Sequence, residues 1–224
     1  MKMPTSTVED YLKQILLEEQ RTGAETRVPT GRIAQQLAVT PGSATAMVQT
    51  LAAGGLVDYE AYGGVRLTDD GRRLALHVLR RHRLVELFLV EVMGYDWSEV
   101  HPEAERLEHA VSERLVERID EMLGRPAFDP HGDPIPTAAG ELVPAELELL
   151  STLPEGSRAR VARVGDQDAE FLRRLESLGL TPGARLRVVA RDESTDTLEV
   201  APGARKATAS LGLRAAAKIL VEPD

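Results

Sequence analysis

Four residues near the middle of the chain, His101, Glu105, Glu108 and His109, are spaced by four, three and one. At about 100° per residue of α-helix they share an arc of roughly 100°. Two imidazoles and two carboxylates then converge on one side of one helix. Carboxylates held side by side repel unless a cation lies between them, so the grouping suits a metal ion better than a solvated surface. The chain has no cysteine, which excludes disulfides and thiolate ligands. Oxygen and imidazole remain as donors, a set suited to Mn, Fe(II), Zn, Co or Ni.

A preceding helical stretch carries His82 and Glu86, an i, i+4 pair. Antiparallel packing of the two helices would bring all six side chains together. Each piece also has a plainer reading. His82 and Glu86 lie in RRHRLVE and could form a solvated charged face, and Glu105 and Glu108 could pair with Arg106 or Arg114. His77 and His131 are read as surface and linker residues.

The elements that must position these groups are legible in order. Thr5 to Gln20 reads as an amphipathic helix with Thr7 as N-cap. The loop TGAETRVPT follows, then a short helix capped by Thr30, a Thr40-Pro41-Gly42-Ser43 turn, and a helix from about Ser43 to Ala53 stopped by Gly54-Gly55. Helix, tight turn, helix is the helix-turn-helix unit. LVDYEAY and VRLT around Gly63-Gly64 predict a hairpin, the wing. A long helix starts at Asp69 or Asp70 and runs to about Met93. Another begins at Asp96-Trp97-Ser98 and runs in two parts to Leu123, where Val100, Leu107, Val111, Leu115 and Ile119 offer apolar surface for dimerisation. GRPAFDPHGDPIPTAAGELVP holds five of the thirteen prolines and reads as an irregular connector. Five short β-like runs follow, with one helix, DAEFLRRLESLG, among them, as in a small five-stranded barrel. The expected architecture is mainly α with β. It comprises a winged helix-turn-helix (1–73), a helical dimerisation and metal-binding domain (74–140) and an SH3-like barrel (141–224).

Net charge is −9, which looks wrong for a DNA binder until its distribution is considered. Arg27 to Glu86 holds eight arginines against five acids, and no acid lies between Val28 and Val57. The residues expected at the reading edge are Thr40, Pro41, Ser43, Ala44, Thr45 and Gln49. They are small and polar, suited to close approach and water-mediated contact. Arg27, Arg32 and Arg66 are candidate phosphate contacts. No apolar run reaches membrane-span length and the start lacks a signal-peptide core, so a cytoplasmic protein is the default.

The run RHRLVELFL…VHPEAERLEHAVSE…FDPHGDPIP resembles the diphtheria toxin repressor family of iron- and manganese-dependent regulators, and the resemblance covers essentially the whole chain. It implies that Asp10, Glu105, Glu108 and His109 form a primary metal site. It also implies that His82, Glu86 and His101 form an ancillary site, completed from the SH3-like (FeoA-type) domain by Gln167, Asp168 or Glu170. Iron-type members carry Cys and Met where this chain has Glu105 and Asp10, so manganese is expected ahead of iron(II), with other divalent metals binding in vitro. Lys13 stands where short manganese-type members have a second acid, which favours the longer, ancillary-site layout. The implied protein is a homodimeric repressor of metal-transport genes on a palindromic operator, with metal setting the spacing of its recognition helices. Two alternatives are a metallohydrolase, which would need an open coordination position and a general base, and a winged-helix regulator of a small organic ligand. Aromatic content of 4% disfavours a stacking pocket for the latter.

Overall fold

The computed structural model describes residues 5–23, 26–142, 146–203 and 208–224. They form two compact units: Met1–Arg81 with Pro136–Glu141, and His82–Ile135 with Leu142–Asp224.

In the first unit, α1 (Ser6–Thr22) is capped by Thr5, whose hydroxyl accepts from the Val8 amide at 3.4 Å; Thr7, expected as the cap, lies inside the helix. Tyr11, Leu12, Ile15 and Leu16 recur at three and four and are all buried. α2 (Thr30–Gln36) follows Pro29 without a side-chain cap, so Thr30 is its first residue and not its cap. α3 (Pro41–Ala53) is capped by Thr40, which accepts from the Ser43 amide at 3.2 Å. Pro41 at the first position forfeits only an amide that would lack an intrahelical partner anyway. The wing is β1 (Val57–Glu60) antiparallel to β2 (Gly64–Leu67), with Glu60 opposite Gly64. Gly64 is therefore the first strand residue, not half of a two-residue turn. Its φ is +101°, and a Cβ there would lie 2.7 Å from the Val28 carbonyl oxygen. Only glycine lets the chain ahead of α2 pair with the wing, through Val28 and Val65 at 2.7 and 2.9 Å.

One buried carboxylate joins three elements of this unit. Glu19 on α1 accepts from the Leu67 amide of the wing at 2.7 Å and pairs with Arg72 at 2.5 Å. Arg72 belongs to α4 (Asp69–Glu91). Near the middle of that helix Arg81 is buried against Glu9 at 2.5 Å.

The second unit begins within α4. Asp96 does not start a helix. Its carboxylate accepts from the Ser98 amide at 2.8 Å and hydroxyl at 2.5 Å, an Asx turn. The helices expected there are α5 (His101–Leu107) and α6 (Glu113–Met122), the latter capped by Ser112. Val100 and Ile119, read as dimer surface, are buried within the protomer, whereas Leu115 and Met122 are 47% and 66% exposed.

Among the described residues the connector has no strand or helix beyond an isolated Phe128–Pro134 bridge, yet Asp129, His131 and Asp133 are buried. It is packed, not a spacer. The barrel comprises β3 (Glu148–Leu149), β4 (Arg158–Val164), α7 (Ala169–Leu178), β5 (Arg185–Asp192), β6 (Thr197–Pro202), β7 (Ala209–Gly212), α8 (Leu213–Ala216) and β8 (Ile219–Pro223). The strand order is β3-β8-β4-β5-β6-β7. The extra strand over the five expected is β3, whose two residues pair with Val221 and Leu220. Part of the run KATASLG read as the fourth strand, residues 206–207, lies outside the described residues. Alternation in β4 buries Ala159 and Val161, and Leu172 and Leu175 of α7 complete the core. Trp97 packs against that same core.

Candidate metal centre and DNA-reading face

α4 places His82 and Glu86 one turn apart, and α5 places His101 and Glu105 likewise. α5 ends at Leu107, so Glu108 is its C-cap and His109 lies in the turn beyond. The single helix face inferred for all four residues is thus two adjoining pieces. Glu108 keeps a helical backbone (φ −55°, ψ −30°), which holds its side chain on the Glu105 side.

His82 is the hub. Its Nε2 lies 3.0 Å from Glu86 Oε1, and its Nδ1 lies 2.5 Å from Glu108 Oε2 and 3.6 Å from Glu105 Oε1. His101 Nδ1 approaches the same Glu86 oxygen at 3.0 Å and its Nε2 stands 3.6 Å from Glu105. His109 Nε2 is 3.3 Å from Glu108 Oε1. Two overlapping donor groups result, His82–Glu86–His101 and His82–Glu105–Glu108. The first is the trio that the family resemblance implies for an ancillary site.

Glu86 and Glu108 are fully buried, and isolated buried carboxylates are costly. Burial alone would raise the Glu86 carboxyl. The His82 charge, hydrogen bonds from His101 and His82, and the His131 charge together hold it well below the ordinary carboxylate range. The pocket is therefore built for a carboxylate facing cations. Nitrogen and oxygen donors without sulfur fit a hard or borderline divalent ion.

Sequence reasoning missed His131, read as a linker residue. It is fully buried, its Nε2 lies 2.9 Å from the Trp97 carbonyl oxygen, and its Nδ1 is 3.9 Å from Glu86 Oε2. Asp129 lies with it. Burial, then the charges of Asp133 and Glu86, push the Asp129 carboxyl well above its usual range, and Arg83 at 3.6 Å offsets this only in part. The two histidines set aside were not alike: His77 is exposed. The available signal was the density of chemistry in Asp129-Pro-His131-Gly-Asp133, within a motif that already carried the resemblance.

Asp168 caps α7 by accepting from the Phe171 amide at 2.9 Å, and Glu170 is exposed in its first turn. Gln167 is half-buried. Asp168 and Glu170 fall in none of the donor groups found among the described residues. Asp10 is half-buried on α1 of the first unit.

On the reading face, Thr40, Pro41, Ser43 and Gln49 are exposed and Thr45 is half-buried. The Thr45 hydroxyl donates to the Pro41 carbonyl at 2.9 Å, which leaves its oxygen as an acceptor and its methyl for contact. Ala44 is fully buried; its methyl belongs to the core and is not available to a base. The three arginines expected at phosphates have protein partners. Arg27 pairs with Asp58 at 2.8 Å and Glu60 at 3.5 Å, Arg66 with Asp58 at 3.3 Å, and Arg32 with the buried Glu18 at 3.2 Å.

Known proteins match along the chain. Residues 3–65 match the N-terminal DNA-binding domain of iron-dependent repressors, 68–137 their metal-binding and dimerisation domain, and 149–223 the FeoA domain. The iron-dependent repressor IdeR of Mycobacterium leprae is 35% identical over 195 residues, 81% of this chain and 83% of that protein. The diphtheria toxin repressor of Corynebacterium efficiens is 32% identical over 201 residues, 84% of this chain and 85% of that protein. The solved structure of a manganese-dependent transcriptional repressor in complex with manganese is 44% identical. It covers 97% of this chain and 100% of its own, with a TM-score of 0.88. Winged helix, dimerisation helices, clustered nitrogen and oxygen donors and FeoA-type barrel together define a metal-dependent, DNA-binding transcriptional repressor. The chain belongs to the iron-dependent repressor family, that of the diphtheria toxin repressor.

Proposed function

We propose that this protein is a cytoplasmic, manganese-responsive repressor, not an enzyme, with iron(II) as the second choice of ion, acting as a homodimer on a palindromic operator that controls metal transport. The observation that carries this reading is the donor set around His82. Glu86 and Glu108, both fully buried, flank it on either side with Glu105 and His101 alongside. No sulfur is present, and replacement of sulfur by carboxylate favours the harder ion. A similar repressor of solved structure is described as manganese-dependent and in complex with manganese.

In this reading Glu105, Glu108 and His109 hold one ion, with Asp10 of α1 as the ligand implied by the family resemblance. His82, Glu86 and His101 hold a second. The ion supplies positive charge among buried carboxylates and a fixed coordination geometry. His101 and Glu105 bring α5 to α4, and Glu108 brings the following turn. Asp10 lies between the buried Glu9 and Tyr11 of α1, so its engagement would tie the DNA-binding helices to the dimerisation helices and set the spacing of two recognition helices on half-sites about one DNA turn apart. Regulation then rests on a difference in metal affinity between the DNA-competent arrangement and the others.

The test is operator binding by gel shift with Mn(II), with Fe(II) under reducing conditions, and with chelator. Tight binding with Mn(II) alone or with both ions, and loss in chelator, is the expected result; equal binding in chelator sinks the metal switch. Glu108→Ala should abolish activation while the protein stays dimeric by light scattering.

A further inference from the structure

The outer face of the barrel gathers positive charge. β4 and β5 together hold six arginines and one acid, Asp192, in a chain whose net charge is −9. Two of the six are spent on the protein itself. Arg163 pairs with Asp133 at 2.7 Å, and Arg191 donates to the carbonyls of Ser151 and Leu153. The other four, Arg158, Arg160, Arg185 and Arg187, are exposed.

Alternation and register bring those four together. Ala159 and Val161 of β4 and Leu186 and Val188 of β5 belong to the core, so the residues between them face outward. Arg158 stands opposite Arg187, and Arg160 opposite Arg185. Residues directly opposite have Cβ atoms about 5 Å apart, and two residues along a strand advance about 6.8 Å. The result is a two-by-two patch of arginines. Like charges directly opposite each other destabilise a sheet, so the arrangement costs stability in the free protein. Neighbouring acids relieve it little. Glu222 of β8 pairs with Arg160 at 2.6 Å. Asp224 lies beside β4, its amide on the Arg158 carbonyl at 3.0 Å. Among the described residues the side chains of Arg158, Arg185 and Arg187 have neither an ion pair nor a hydrogen bond.

We infer that this face of the barrel is a second, sequence-independent docking surface for duplex DNA, taking the phosphate backbone on Arg158, Arg185 and Arg187. The inference rests on the DNA-binding class of the chain and not on its choice of metal. Guanidinium forks bind phosphate oxygens in pairs. A patch about 5 Å by 7 Å suits an anion whose charge repeats. One DNA strand presents a phosphate every 3.4 Å or so of axis, so arginines two residues apart span about two steps. The reading helices α2 and α3 are on the same chain, so duplex held by them meets the barrel at a raised effective concentration. Each phosphate neutralised releases condensed counterions and relieves the repulsion between opposite arginines. The face therefore adds affinity without reading bases. Acidity elsewhere on the chain repels the backbone and confines its approach to the basic surfaces.

The test uses the full chain with Mn(II) and a triple variant, Arg158→Gln with Arg185→Gln and Arg187→Gln; Arg160 is kept so that Glu222 retains its partner. Anisotropy titrations over a salt series are run on a mixed-sequence duplex several helical turns long. The log–log salt slope of the variant should be shallower by roughly 0.9 per arginine removed, with weaker binding at low salt. Lysine at the same three positions should restore the slope, because a point charge is enough for a phosphate. Unfolding curves of the glutamine variant should be unchanged or shifted upward, since repulsion across the strands is removed. A slope equal to that of the unaltered chain overturns the inference. So does polyglutamate that displaces the unaltered chain from DNA but not the variant, which would make the face a site for an acidic protein. If the unaltered chain binds DNA equally in chelator, the metal switch falls while the slope comparison still decides this surface.

Discussion

His82 carries more of the site than its place in RRHRLVE suggests. Sequence reasoning ranks it with the ancillary group alone, so its loss should be the milder lesion. In the structure it faces Glu86 on one side and Glu105 and Glu108 on the other. His82→Ala should therefore weaken Mn(II) binding at both positions, by at least about 100-fold, on the scale of losing groups that tune a metal site; titration calorimetry with Mn(II) measures it. A loss confined to one of two resolved binding events would restore the original ranking. Glu19 is the comparable residue in the first unit. Removal of its carboxylate orphans the buried Leu67 amide and strips Arg72 of its partner. Glu19→Ala should cost about 1–3 kcal/mol in denaturant unfolding, and Glu19→Gln less, because the amide oxygen can still accept from Leu67.

At the scale of elements, close approach decides what is permitted. A Cβ at Gly71, in the first turn of α4, would lie 1.9 Å from the Leu56 carbonyl oxygen, so α4 can start against the wing only because that residue is glycine. Gly71→Ala should destabilise the first unit by about 3 kcal/mol through overpacking, seen as an earlier transition in thermal unfolding. The wing holds a second lesson. Asp58 engages both Arg27 and Arg66, two arginines that charge patterning assigns to phosphate. Asp58→Ala should release Arg66 and loosen Arg27, which keeps Glu60 and the residue-58 carbonyl, and raise affinity for non-specific DNA, with a steeper salt dependence of roughly 0.9 per added phosphate contact; anisotropy titrations over a salt series read this out. An unchanged slope would mean that these arginines never reach the backbone.

For the molecule as a whole, a ligand that binds only the folded chain stabilises it by mass action. Mn(II) at 100 times its dissociation constant should add about 2.7 kcal/mol per occupied site. Scanning calorimetry should show a rise in unfolding temperature that Glu108→Ala reduces and chelator removes. A net charge of −9 does not oppose DNA binding at this scale, because α2 and α3, the helix-turn-helix pair, contain no acid at all.

Local pattern was enough for the helix-turn-helix with its wing, the long helix after it, the pairs His82/Glu86 and His101/Glu105, and the mixed α and β class, but not for β3 or α8. Caps, periodicity and glycine stops act over a few residues, so they are written in the sequence beside the elements they control. Three outcomes needed the tertiary structure. Val100 and Ile119 are apolar residues of the dimerisation stretch, and only packing shows that they are spent inside the protomer while Leu115 and Met122 stay exposed. Ala44 sits in the recognition helix, yet the core claims its methyl. His131 lies 45 residues beyond Glu86 in a proline-rich stretch without periodicity, and no local rule connects them. Burial and the Trp97 carbonyl turn it inward, because an imidazole in a dry interior must find a partner for its N–H. Convergence of donors from separate segments is a property of long-range packing, and only the folded chain could show that Glu86 faces histidines on both of its oxygens.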